Sequence, residues 1–345
     1  MFKTSIRNKL LAHQTSTLLL LTIPLILLFF SSFLVGRYPI SPLEVLMVIA
    51  SKIVPLNTIV PLPSDAVIFQ IRLPRILAAM LVGSALSIAG AAFQGLFKNP
   101  LVSPDKLGVS AGAGFGAALA ILLSLSAVMI QVSAFIGGLI AVALTYFISR
   151  TFKGTSILTL ILCGIAIESF FGAMISLAKY VADPYQQLPS IVFWLLGSFA
   201  GVTPQKLVMM GIPVLFGISI LLLIRWRINV LSMGEEEART MGVDTKKLQA
   251  IIIFSCTIVT ASSVSICGII GWVGLVIPHV ARMIVGPDHK ILLPASVIIG
   301  AFFMLLIDDV ARTITTVEIP VGILTALIGV PFFLYLLRKS KEVWV

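Results

Sequence analysis

Charge is scarce in this chain. Only 11% of its 345 residues are Asp, Glu, Lys or Arg, against 59% hydrophobic, and the mean hydropathy is +1.11. No soluble core needs so much apolar surface, so a soluble domain is excluded. Cysteine is scarce too: Cys163, Cys256 and Cys267 lie far apart inside apolar runs, with no CxxC or Cys/His cluster. That spacing argues against a disulfide framework and against a metal centre. No Gly-Lys dipeptide occurs anywhere. The phosphate-cradling loop G-x-x-x-x-G-K-[ST] is therefore missing, and with it that route to ATP binding. HExxH, a metal triad and a Ser/Lys dyad setting are absent as well, which leaves an intramembrane enzyme a distant third reading.

What the chain does have is a succession of apolar runs of about 20 residues, each long enough to cross a hydrocarbon layer of roughly 30 Å. In lipid the backbone must satisfy its own polar groups, and unbroken runs exclude the alternating pattern of a barrel. The sequence predicts an all-α, polytopic membrane protein: one transmembrane domain, 1–345, with spans near 17–35, 74–97, 107–125, 127–149, 156–178, 205–225, 247–266, 269–285, 291–309 and 321–338. The region 247–285 leaves almost no turn between two spans. The apolar stretches Ile40–Ile53 and Ile191–Ala200 are too short to cross and read as interfacial or re-entrant helices. Lys3, Arg7 and Lys9 precede the first run, which resembles a signal peptide. It is too long for one and no A-x-A site follows, so it reads as a retained first span.

The formal net charge is +10. In a soluble domain this would point to nucleic acid; here the basic residues sit in short loops and orient the helices instead. With the N-terminus inside and about ten spans, roughly two thirds or more of the Lys and Arg fall on the cytoplasmic side, which places both termini there. The few arginines left outside become informative. Arg72 and Arg75 flank Pro74, which fits the first position of the second span, and Arg312 follows Asp308 and Asp309. Snorkelling at helix ends is the plain explanation. The functional one is an acceptor for carboxylates of a protein that docks from outside, which a guanidinium fork suits.

Within the second span, Ala79, Gly83, Ser87, Ala91 and Gly95 recur every four residues and form one small-residue face. That face predicts close helix packing. Gly112 to Gly116 superficially resembles a dinucleotide loop, but no strand precedes it, so it too reads as a packing site. The longest polar stretch, Arg225 to Lys247, would face the cytoplasm. Ser232 and Glu235 have capping-box spacing, Gly242 can end a short helix, and Asp244 can cap a second. Such a knob, 226–248, can pass force to a cytoplasmic partner.

Several ordered motifs carry a resemblance. They are Arg72-Leu-Pro-Arg75, Gly90-Ala-Ala-Phe-Gln94, Asn99-Pro-Leu-Val-Ser-Pro104 leading to Gly108, and Trp194-Leu-Leu-Gly-Ser198. Asn229-Val-Leu-Ser-Met-Gly-Glu235, Ala238-Arg-Thr-Met-Gly242 and the run from Gly268 to Arg282 follow. Asp308-Asp-Val-Ala-Arg312, Glu318-Ile-Pro-Val-Gly322 and Gly329-Val-Pro-Phe332 complete the set. The chain resembles the iron–siderophore/vitamin B12 (FecCD/BtuC-like) family of ABC-transporter permease subunits across nearly its whole length.

The resemblance implies a type II importer permease of ten helices. It implies a second permease subunit, as homo- or heterodimer, with separate ATPase subunits and an extracytoplasmic binding protein. It implies no cofactor on this chain, ATP and Mg being held by the partner, and residence in a bacterial or archaeal cell membrane. Arg72, Arg75 and Arg312 would pair with glutamates of the binding protein. Gly234, Glu235, Glu236, Ala238 and Gly242 would belong to the element seated in the ATPase. Asn99, Leu101, Thr155 and Ser156 match the family's gate positions. The run Glu235-Glu-Glu237 is a local variant, so which carboxylate matters stays open. The cargo implied is a metal chelate, ferric siderophore first, with haem and cobalamin as alternatives.

Two residues stand outside these motif roles. His279 follows Pro278 near a helix end and reads as a hydrogen-bonding residue rather than a ligand. Glu168 sits mid-span, where a carboxylate is costly; it either faces the pathway or is protonated and bonded between helices. The alternative function is a proton-coupled secondary transporter with Glu168, Asp308 and Asp309 as relays.

Overall fold

The structure is a computed structural model that describes residues 2–52, 62–151 and 157–339. In chain order its helices are α1 (Phe2–Ser32), α2 (Pro42–Ser51) and α3 (Leu62–Ala66), a π-helical turn at Val67–Arg72, and α4 (Leu73–Phe97). A 3-10 turn at Pro104–Leu107 leads into α5 (Val109–Leu122), α6 (Ala127–Thr151), α7 (Ile157–Val181) and α8 (Gln187–Leu196). Then come α9 (Pro204–Leu223), α10 (Arg225–Met233), α11 (Glu235–Thr240), α12 (Thr245–Cys267), α13 (Val273–Val285), α14 (His289–Ala311) and α15 (Val321–Lys339). No strand occurs among the described residues.

Six of these segments are long and apolar enough to cross a membrane. The shorter apolar helices of α1, α5, α13 and α15 bring the number to the ten expected, while α2 and α8 are the two short elements. The doubtful region resolves into α12 and α13. Between them the chain reverses over residues 268–272, with Gly268 (φ 74°) and Trp272 (φ 71°) both left-handed.

One predicted boundary is corrected. The second span does not begin at Pro74: an apolar helix runs without a break from Pro63 to Phe97. A proline has no N–H to donate, and the π-turn just before it absorbs the mismatch, the N–H of Leu73 reaching back to the carbonyl of Ile68.

α4 is the axis of the bundle, and 83% of its most apolar window is buried. Its partner α14 runs antiparallel. Arg75 meets Asp308 at one end, the Ser84 hydroxyl donates to the Val297 carbonyl midway at 3.0 Å, and Gly95 meets His289 at the other. The small-residue face does what its spacing predicted. A side chain at Gly83 would collide with the backbone carbonyl of Gly300, and one at Gly90 with that of Gly274. Missing side chains here let the helix backbones touch and gain dispersion contacts that lipid cannot offer. At the far end of α4, Lys98 turns left-handed (φ 48°) and its N–H caps the Gln94 carbonyl.

α7 is the contrast: only 11% of its most apolar window is buried within the chain. Leu158, Leu162, Ile165, Phe170 and Leu177 are all exposed on it.

Candidate functional site

Four places hold the residues that the sequence singled out. The first is the α4 start and α14 end. The three arginines expected to meet a docking protein, Arg72, Arg75 and Arg312, are all buried and paired within the chain. Arg75 Nη2 donates to Asp308 Oδ1 at 2.8 Å and its Nε to Oδ2 at 2.9 Å, while Nη1 reaches Glu318 Oε1 at 3.0 Å. Arg312 pairs with Asp309 and donates to the carbonyls of Val35 (2.9 Å) and Ser32 (3.1 Å). The Ser32 hydroxyl donates to Asp309 Oδ2 at 2.6 Å. Arg72 donates to the carbonyls of Phe33 and Tyr38. Burying these charges is tolerable only because each finds a partner. The three forks thus brace the end of α1, the chain after it, α4 and α14. The relay candidates Asp308 and Asp309 are held in the same brace.

The second place is the opposite end of α4 and α14, where Arg225–Val243 lies. Ala238, Val230, Leu231 and Val243 bury against the bundle, and Glu236 and Glu237 face outward. Glu235 accepts from Arg239 Nη2 at 2.9 Å and from the Thr245 hydroxyl at 3.2 Å. The capping box is corrected. Ser232 lies inside α10 and its hydroxyl donates to the Asn229 carbonyl; Gly234, in extended backbone, makes the break before α11. Gly242 (φ 76°) does end α11. Asp244 does cap, accepting from the Lys247 N–H at 3.1 Å, but it caps the long span α12 rather than a second short helix.

The third place is the turn after α4. Asn99 Oδ1 accepts from the Leu101 N–H at 2.9 Å, a side-chain turn that leaves Leu101 exposed. His279 Nε2 donates to the Pro100 carbonyl at 2.9 Å and pins that turn to α13, so it is the hydrogen-bonding residue the sequence suggested. Thr155 and Ser156 lie outside the described residues.

The fourth place joins the 104–107 turn to α7. Glu168 stands 4.0 Å from Lys106, and both side chains are about two-fifths exposed, at 40% and 43%. Asp105 beside them is half-buried, and desolvation pushes its carboxyl above the ordinary aspartate range; the Ser110 hydroxyl and the Lys106 charge act against that shift. Among the described residues no three His, Cys, Asp or Glu side chains converge as metal ligands.

One residue escaped the sequence reading. His289 is buried at the foot of α14, and its backbone N–H donates to Asn229 Oδ1 at 3.0 Å. Its only local signal is its position just after Asp288, the cap of α14.

A polytopic helical bundle with a small-residue axis, an ionic brace at one end and a folded polar segment at the other is the build of an ABC-transporter permease subunit. The chain matches the FecCD transport family over residues 24–339, and it belongs to that family. It is 44% identical over 322 residues to the molybdate import system permease protein MolB of Haemophilus influenzae, covering 93% of this chain and 95% of that one. It is 42% identical over 288 residues to the cobalamin import system permease protein BtuC of Halobacterium salinarum, covering 83% and 77%. A solved inward-facing structure of a metal-chelate type ABC transporter superposes with a TM-score of 0.85 at 42% identity, covering 94% of this chain and 99% of that one.

Proposed function

We propose that this chain is the membrane-spanning subunit of a binding-protein-dependent ABC importer. It carries a metal-containing cargo by alternating access, driven by ATP hydrolysis on a separate subunit. The carrying observation is the near end-to-end match to permease relatives. Two permease chains pair, and the sparsely buried α7 is the natural face for the second one. The Gly234–Gly242 segment seats in the ATPase, with Glu235 and Glu236 at its acidic front. An extracytoplasmic binding protein docks at the end held by Arg72, Arg75 and Arg312. Its carboxylates reach those guanidiniums by exchange with Glu318, whose side chain is 27% exposed and is the most open member of the brace. Asn99, Leu101, Thr155 and Ser156 close the opposite side, and Glu168 with Lys106 lies along the pathway. The chain itself binds no cofactor and sits in the cell membrane with both termini cytoplasmic.

Ferric siderophore is the first cargo reading. A second, molybdate, is favoured by the 44% identity to a molybdate permease over almost the whole chain. Reconstitution with the partner ATPase and binding protein, offering labelled ferric chelate and labelled molybdate side by side, separates them. ATP-dependent uptake of one alone settles the cargo. Uptake by this chain alone, driven by a pH gradient without any ATPase, would sink the importer reading in favour of a proton-coupled transporter.

A further inference from the structure

The polar segment must be fastened to the bundle somewhere if its movement is to reach the helices. The geometry points to one fastening: we propose that Asn229, His289 and Gly95 form the joint that delivers movement of the 225–243 segment to α4 and α14, with Asn229 and His289 as positioning residues. The inference rests on the importer reading above.

Three observations converge. First, α14 begins at His289, so its backbone N–H belongs to the first turn and has no partner within its own helix. Asn229, on α10, supplies that partner: its Oδ1 accepts from the His289 N–H at 3.0 Å and lies 3.4 Å from Nδ1. A helix of the polar segment thus caps a membrane helix, a bond that must break or travel when either moves.

Second, the His289 ring fits against α4 where Gly95 leaves room for it. A side chain added at Gly95 would stand 2.5 Å from His289 Nε2 and 3.0 Å from a methyl of Ile228, a fully buried residue of α10. Gly95 is therefore a notch that receives one group from α10 and one from α14 together. Nε2 has no hydrogen-bond partner among the described residues, so shape rather than bonding holds that edge of the ring in the notch. Asn229 Oδ1 is an acceptor, which assigns the ring proton to Nδ1.

Third, the adjacent residue ties in α13: Gln94 Oε1 accepts from Arg282 Nη2 at 3.0 Å, and Gln94 Nε2 donates to the Leu275 carbonyl at 3.3 Å. Two consecutive residues of the central helix therefore contact α10, α13 and α14 together. Packed contacts of this kind shift as units rather than bending continuously.

The test is cargo carried per ATP hydrolysed in the reconstituted complex, a ratio that a merely stabilising residue does not change. Asn229→Ala, which removes the cap, is expected to lower the ratio about tenfold while ATP hydrolysis continues. Asn229→Asp, which keeps the accepting oxygen, is expected to stay near the parent value. A parent-like ratio in Asn229→Ala overturns the joint. Should Asn229→Ala fail to assemble with the ATPase, a second arm decides. Cysteines at Met233 and Lys290, exposed neighbours that leave Asn229 and His289 in place, are bridged by a bifunctional thiol reagent in a chain lacking its own three. Retained transport shows that α10 and the foot of α14 travel together, as a joint requires; abolished transport shows that they must separate, and overturns it. Failure of the importer reading looks different, because the parent complex then shows no ATP-dependent uptake at all.

Discussion

The two ends of the α4–α14 pair both use arginine against carboxylate, with opposite consequences. At the α4 start, Arg75 and Asp308 have side chains 8% and 0% exposed. At the other end, Arg239 and Glu235 form an i,i+4 pair whose side chains are 57% and 42% exposed. Breaking a buried pair leaves an uncompensated charge and costs about 3–5 kcal/mol. An exposed pair on a helix surface contributes only about 0.3–0.5 kcal/mol, since water screens it. One end is thus locked and the other is free to be rearranged by a partner, an asymmetry that suits a bundle driven from one side.

The largest expected effect lies at the locked end. Arg75→Ala should lower stability by about 3–5 kcal/mol, read as a fall in thermal unfolding temperature of the purified chain in detergent. A loss below about 1 kcal/mol would mean that the brace is no more than a surface pair.

Midway between the ends, Gly83→Ala drives a methyl into the Gly300 carbonyl and should cost about 1–3 kcal/mol through separation of α4 from α14. An unchanged unfolding temperature would show that the backbones do not touch.

A smaller effect concerns Asp105. Burial raises its pKa in the folded chain, so between the ordinary aspartate value and the raised one the folded form holds more proton than the unfolded. Stability therefore falls as pH rises through that interval and levels off above it. Asp105→Asn should remove that part of the slope, as measured by unfolding temperature across mildly acidic to neutral pH; an unaltered slope would contradict the assignment.

The smallest effect belongs to the open end, where Glu235→Ala should change stability by no more than about 0.5 kcal/mol. A larger loss would erase the contrast between the ends.

Much of the fold was legible in the sequence because lipid makes the reading easy. A helix must satisfy its own backbone over a fixed thickness, so the length and polarity of a run suffice. The small-residue face of α4 was legible for the same reason, since a period of four has one meaning on a helix. Local chemistry was read less evenly. Asp244 caps as its position suggests, but Ser232 does not, because α10 continues through it until Gly234 interrupts the helix. Pro74 fits a helix start by composition, but the π-turn before it carries the helix through.

The brace was not legible. Arg75 and Asp308 are 233 positions apart, and nothing in either segment says which spans adjoin. The same holds for His289 and Asn229, separated by 60. Charge placed outside a span could be assigned a side of the membrane; only the packing of α1, α4 and α14 shows that these guanidiniums turn inward.

The central claim is that the braced end and the polar segment belong to opposite faces of one membrane-crossing bundle. Single cysteines at Val317, which is 75% exposed beside the brace, and at Glu236, exposed on α11, test it in a chain without its own cysteines. A membrane-impermeant thiol reagent applied to intact cells should modify position 317 and leave position 236 untouched until the cells are opened. Modification of both positions in intact cells, or of 236 alone, would contradict the account.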